Sequence, residues 1–276
     1  MPQTINTNMM SLNAQRNLNR TQDTLRIAVQ RLSSGLRLNS AKDDAAGLAI
    51  TERFTSQING LNQAARNAAD GISLMQTAEG ALAEVVANLQ RIRVLAVQSA
   101  NATNSSADRR SLNDEVNALQ LEIIRVLDGT EFNRLSVFGT NTMLGFQVGP
   151  NSPSAVNRIN VSMQNFRSIA VISGALLASI STVATALSAI DRATLAIDEI
   201  SARRAQFGAL QNRFESVVRN VQNMAENLSA SRSRILDADF AAETAELARS
   251  QVLQQAGTAM IAQANQLPQN VLTLLQ

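Results

Sequence analysis

The sequence predicts a mainly α fold: an elongated antiparallel helical bundle or coiled coil with a small β-hairpin region and its N- and C-terminal helices paired. Three observations predict it. The chain is 45% hydrophobic but only 3% aromatic, with 12 Gly in 276 residues, which is a composition suited to long helices. A heptad register runs through Ile58, Leu61, Ala65, Ala68, Ile72, Met75, Glu79, Leu82, Val86, Leu89, Arg93 and Ala96. Its strict three-four steps imply supercoiled partner helices. The two ends carry opposite charge. Up to Lys42 six cations (Arg16, Arg20, Arg26, Arg31, Arg37, Lys42) face one anion, Asp23, whereas 237–276 holds Asp237, Asp239, Glu243 and Glu246 against Arg249. Opposite charge on two amphipathic ends favours their pairing.

Each element follows in order. Residues 4–33 read as a helix, with Leu18, Leu25, Val29 and Leu32 on one face and Gly35 suited to its C-terminus. Ser40 to Asp43 is a possible capping box for a second helix. That helix runs to about Ala100, roughly 80 Å at about 1.5 Å per residue. NATNSS (101–106) is a turn, and a shorter helix ends at Asp128-Gly129. Between 132 and 163, β-prone pieces around Val137–Phe138, Phe146–Val148 and Ile159–Val161 are punctuated by Gly and Pro, which predicts one or two hairpins. Helix returns near Ser173 and runs to about Asn227, striped by Ile180, Val183, Leu187, Ile190, Ile197, Ile200, Phe207, Phe214, Val218, Val221 and Leu228. A terminal helix follows from about Ser231.

The last stretch, SQVLQQAGTAMIAQANQLPQNVLTLLQ (250–276), has no charged side chain. Leu253, Ala256, Met260, Ala264, Leu267, Val271 and Leu274 fall at steps of three and four, and Pro268 predicts a kink or restart. Its many Gln and Asn exclude a membrane span. Such a stripe calls for burial against other protein. Two units are expected: an inner-core coiled coil of 1–43 with 231–276, and a helical-bundle domain of 44–230.

Composition excludes several function classes. Cys, His, Trp and Tyr are absent, which removes thiolate chemistry and the commonest general base and metal ligand. No catalytic, cofactor-binding or metal-binding residue is predicted, and no cofactor. The carboxylate pairs Asp43-Asp44, Asp237/Asp239 and Glu243/Glu246 suit helix caps and ion pairs. The pI near 10.2 reflects a net charge of only +2 in a chain with little that titrates near neutrality. With no basic cluster or aromatic platform, nucleic acid is not an expected partner. MPQTINTNMMSLNAQ lacks a basic and then apolar leader, so export without a cleaved secretory signal is expected.

LSSGLRLNSAKDDAAGLAI (32–50), LQRIRVLAVQSANATNSSADR (89–109), FGALQNRFESVV (207–218) and SRILDADFAAETAELARSQVLQQAGTAMIAQANQLPQNVLTLL (233–275) closely resemble bacterial flagellin. The resemblance covers about residues 1–165 and 185–276. It implies a secreted, self-polymerising structural subunit of the flagellar filament that serves swimming motility, exported by the flagellar type III route. It also implies that the paired terminal helices form the inner core, packed through Leu25, Val29, Leu32, Leu253, Ala256, Met260, Ala264, Leu267, Val271 and Leu274. Only 166–185 separates the two halves, so the variable outer domain is absent. Implied partners are further copies of the chain, a flagellar export chaperone, and hook-associated and cap proteins. A hook–filament junction protein or another type III-exported filament protein is the alternative. The resemblance further assigns Arg91, Leu95 and Glu115 to a face that contacts Toll-like receptor 5 or a neighbouring subunit. Arg91 and Leu95, four residues apart, are expected on one exposed helix face.

Overall fold

The computed structural model describes residues 7–152 and 155–273, and of 267–273 the backbone only. Among these the elements are α1 (Met9–Ser34), α2 (Ala45–Ala100), α3 (Ser106–Gly129), β1 (Glu131–Phe132), β2 (Leu135–Ser136), β3 (Thr142–Gln147), β4 (Arg158–Met163), α4 (Ala170–Leu176), α5 (Val183–Leu236) and α6 (Phe240–Thr273), with a 3-10 turn at Phe166–Ser168. The fold is mainly α with two small antiparallel strand pairs, as expected. The backbone divides into Met1–Ser56 with Asn227–Gln276, and Gln57–Glu226. The divisions fall within α2 and α5 rather than at the expected residues 43 and 231.

In the first unit, α1 and α6 pack antiparallel. Gly35 ends α1 with φ +72°, and its N–H donates to Arg31 O. This is the left-handed cap that glycine adopts without penalty. The expected Ser40–Asp43 box sits one turn too early: Asp43 Oδ2 accepts from the Asn39 and Ser40 N–H groups and from Ser40 Oγ. Asp44 caps α2 instead, accepting from Gly47 N–H at 2.9 Å. The terminal helix begins at Phe240, not near Ser231, because α5 continues to Leu236. The helix also continues through Pro268 without the expected restart.

In the second unit the core is built from thin seams. Buried positions on α2 include Leu61, Ala64, Ala68, Met75, Ala78, Leu82, Val85, Leu89, Ile92 and Ala96. Six of these belong to the expected register. The other four, Ala64, Ala78, Val85 and Ile92, lie one residue before Ala65, Glu79, Val86 and Arg93, and of those Ala65, Glu79 and Arg93 lie at the rim or outside. On α5 the exposed Val183 and Leu187 give way to buried Ala186, Ala189, Ala193 and Ala196. Small side chains let helix axes approach, so the larger residues beside them flank the contact. Gly71 shows the limit: a Cβ there would stand 2.9 Å from Phe214 Cζ. Phe214 is wholly buried and meets Phe146 of β3 edge-to-face at 5.4 Å.

Two hairpins complete this unit. Asn133 and Arg134, with φ of 51° and 64°, form the two-residue turn between β1 and β2, the geometry that matches strand twist. Val137 and Phe138, expected as a strand, follow β2 as buried core residues. β3 pairs with β4 from Thr142↔Met163 to Gln147↔Arg158, and β4 buries every second residue. Ser105 and Asp108 form a full capping box at α3. Buried Arg109 donates to Ser99 O, Asn101 O and Asn104 O, closing the α2–α3 turn.

Candidate assembly surface

The α1–α6 seam is a heptad contact between small residues. On α1 the covered positions are Ser11, Ala14, Leu18, Thr21, Leu25, Ala28 and Leu32, at alternating steps of three and four. On α6 they are Glu243, Leu247, Ser250, Gln254, Gly257, Ile261 and Ala264, at the same spacing. Ser250 and Ala28 are almost fully buried. At Gly257 an added Cβ would approach Leu18 Cδ1 to 3.2 Å. Asn8 Nδ2 donates to Ala264 O at 2.8 Å at one end of the seam. At the other end Arg31 pairs with Glu243 at 3.4 Å, which is the expected charge complementarity realised at one point. Beyond it Arg37 N–H donates to Leu236 O, Ala238 N–H donates to Gly35 O, and the Arg37 guanidinium donates twice to Ile235 O.

The predicted packing residues therefore divide. Ala264 lies inside the seam of a single chain, and Leu25 and Leu32 are half-buried along it. Val29, Leu253, Ala256 and Met260 do not close it: they stand beside it, with Leu253 51% and Met260 59% exposed. Leu267, Val271 and Leu274 lie outside the residues whose side chains are described. Leu253, Ala256 and Met260 share an open groove with Met10, Asn13, Ala14, Asn17, Leu18, Thr21 and Gly257. Met9, Leu12, Phe240 and Val252 are further exposed apolar side chains of these two helices. The true α6 register was missed because Ser250, Gln254 and Gly257 carry no apolar signal. Stepping from Glu243, the natural partner of Arg31, would have found it.

Of the paired carboxylates, those of Asp43, Asp44, Asp239, Glu243 and Glu246 cap helices or turns or form ion pairs. Asp239 Oδ1 accepts from Ala241 N–H at the start of α6, and Glu246 pairs with Arg249. The backbone N–H groups of Ser40 and Asn39 hold the Asp43 carboxyl below the usual aspartate range. Among the described residues no three His, Cys, Asp or Glu converge as a metal site, and no helix is long and apolar enough to cross a membrane.

On α2, Arg91 Nε donates to Glu115 Oε1 at 2.8 Å, joining α2 to α3 at a half-exposed ion pair. Leu95 does not share that surface. It is 1% exposed and belongs to the core, because burial at Ile92, Leu95 and Ser99 turns this side of α2 inward. The exposed aliphatic residue one turn from Arg91 is Val94.

Known proteins resemble both terminal regions. The family model of the bacterial flagellin N-terminal helical region matches residues 5–143, and that of the C-terminal helical region matches 187–275. The chain belongs to the bacterial flagellin family. A flagellin of Halalkalibacterium halodurans is 46% identical, over 99% of both chains. The flagellin of Bacillus subtilis is 40% identical, again over 99% of each. The crystal structure of Bacillus cereus flagellin is 31% identical with a TM-score of 0.51, covering 60% of this chain and 94% of that one. The structure of a putative flagellar hook-associated protein from Vibrio parahaemolyticus reaches a TM-score of 0.60 at 12% identity, over 71% of this chain and 100% of that one, a likeness of fold alone. As a flagellin, this chain is a structural subunit of the bacterial flagellar filament, and its family implies self-assembly into that extracellular polymer. Its short length fits a form without the variable domain.

Proposed function

We propose that this flagellin polymerises by covering the apolar flanks of its α1–α6 seam with further copies of itself. The observation that carries this reading is the exposure of Met9, Met10, Leu12, Val29, Leu253 and Met260 on helices already paired with each other. Exposed apolar side chains in that number on one helix pair favour a protein partner. Residues 1–43 and 231–276 are then the assembly unit, and 44–230 the bundle that folds without it. Leu25, Leu32 and Ala264 hold the two helices of one subunit together. Val29, Leu253, Ala256 and Met260 bind the next subunit.

Before assembly the same side chains need shelter, which supports a dedicated export chaperone on α6 and passage through the flagellar type III route. Hook-associated and cap proteins meet the two ends of the polymer. Recognition by Toll-like receptor 5 would rest on the Arg91–Glu115 pair with Val94, since Leu95 is not at the surface. The test of assembly is a chain of residues 44–230 offered to flagellar seeds. It is expected to stay helical and monomeric. Long filaments in electron micrographs of that fragment would refute the reading, as would a full chain that fails to elongate seeds.

A further inference from the structure

Three exposed side chains of α1 and α6 are thioethers, Met9, Met10 and Met260, and the last two line the groove beside the seam. Met10 of α1 is 63% exposed and Met260 of α6 is 59% exposed, and both line the one groove that also holds Leu18, Leu253 and Ala256. By contrast Met75 and Met163 are buried in the second unit. We propose that Met10 and Met260 form an oxidation site that gates polymerisation: the free chain is vulnerable to peroxide there, and the polymer is protected. The inference rests on the assembly reading above, because that reading covers the groove with a second copy.

The chemistry needs only a peroxide as oxidant. The thioether sulfur attacks one peroxide oxygen. An S–O bond forms and the O–O bond breaks, the sulfur is oxidised by two electrons to the sulfoxide, and the remaining oxygen leaves as water. Exposure controls the rate, and sulfoxide reductases reverse the product. A flexible apolar side chain thereby becomes a polar one with a strong acceptor oxygen. Leu18, Leu253, Ala256 and Gly257 beside it carry no side-chain donor and the Thr21 hydroxyl already donates to Asn17 O, which leaves only the amides of Asn13 and Asn17, both on α1. Covering an unpaired sulfoxide with a second copy is therefore unfavourable.

The experiment exposes depolymerised chain and intact filaments to hydrogen peroxide, maps oxidised methionines by peptide mass, and offers the treated chain to seeds. Met10 and Met260 are expected to oxidise in the free chain while Met75 and Met163 do not. In filaments both should be protected by about tenfold or more. Oxidised chain should elongate seeds about tenfold or more slowly, the effect of one buried polar group left unpaired. Treatment with methionine sulfoxide reductases should restore elongation. The Met9→Leu/Met10→Leu/Met260→Leu chain, which also removes the exposed thioether beside the groove, preserves volume and should keep elongating after peroxide. Oxidation equally fast in filaments would overturn both this inference and coverage of the groove by a neighbour. Protection in filaments with unimpaired elongation by the oxidised chain would overturn this inference alone. So would loss of elongation that the reductases do not reverse, or a variant lacking all three thioethers that is still as sensitive to peroxide as the parent.

Discussion

Replacing Leu253 and Met260 by Ala tests the assembly surface quantitatively. In a single chain Leu253 is 51% and Met260 59% exposed. Fully burying such a side chain is worth about 1.5–3 kcal/mol, so covering the exposed half contributes about 1 kcal/mol each. The double substitution should then weaken subunit addition by about 2 kcal/mol, raising the critical concentration about thirtyfold. Alanine is the best helix former and neither residue closes the seam, so α6 should remain paired with α1. Circular dichroism of the monomer should accordingly match the parent. The assay is seeded elongation followed by light scattering, with the residual soluble chain measured after sedimentation. A double variant whose critical concentration lies within about twofold of the parent's would refute the argument, since the half-exposed area would then contribute almost nothing to a process scaled by apolar burial.

Three further outcomes are expected. Ala264→Asp places a carboxylate inside the intrachain seam, where an unpaired charge is strongly disfavoured. It should lower monomer helicity as well as assembly, unlike the changes at Leu253 and Met260. Phe214→Ala should cost about 3–5 kcal/mol in the thermal or urea unfolding of the second unit, because the ring is wholly buried against Phe146 and Gly71. The Ser105 hydroxyl, then its backbone N–H, holds the Asp108 carboxyl below its ordinary range. A carboxylate depressed on folding stabilises the fold above its unfolded pKa, and that contribution is lost as pH falls through the folded value. In Ser105→Ala the Asp108 titration, read by carboxyl NMR, should move up toward the ordinary aspartate value.

The helices were legible in the sequence because apolar spacing marks them directly: α1 with its Gly35 end, the long α2, and α3 closing at Gly129. The β3–β4 pair was legible from punctuation by Gly and Pro. Which face of each helix makes the contact was less legible, for one recurring reason. Large aliphatic residues dominate any reading of periodicity, yet close helix contacts here are made by Ala, Gly and Ser. Glu79 and Arg93 were placed in the α2 stripe, but the seam uses Ala78 and Ile92 one residue earlier. Leu253 and Met260 were read as the inward face of α6, whereas Ser250, Gly257 and Ala264 face α1. Leu95 was grouped with Arg91 by the family resemblance and the four-residue spacing, neither of which reads burial, and it lies in the core. Composition tells that a helix is amphipathic, and the partner's shape decides which edge of the stripe fits.

The segment that leads from α4 into α5 is held in an unusual way. Gln120 donates to Ala175 O and Ala178 O, Ser99 Oγ donates to Ile180 O, and Asn113 Oδ1 accepts from Ile180 N–H. Every one of these grips takes hold of main-chain atoms, which are the same whatever side chain they carry. Drift at this crossing is thus restricted only where a side chain is itself enclosed, as at Ala175, Ala178 and Ile180. Leu177, which is largely exposed between them, is free to mutate without loosening the crossing. The burden of inheritance falls instead on Ser99, Asn113 and Gln120, far away in the primary sequence. A codon-randomised library should be permissive at 177 and intolerant at 120.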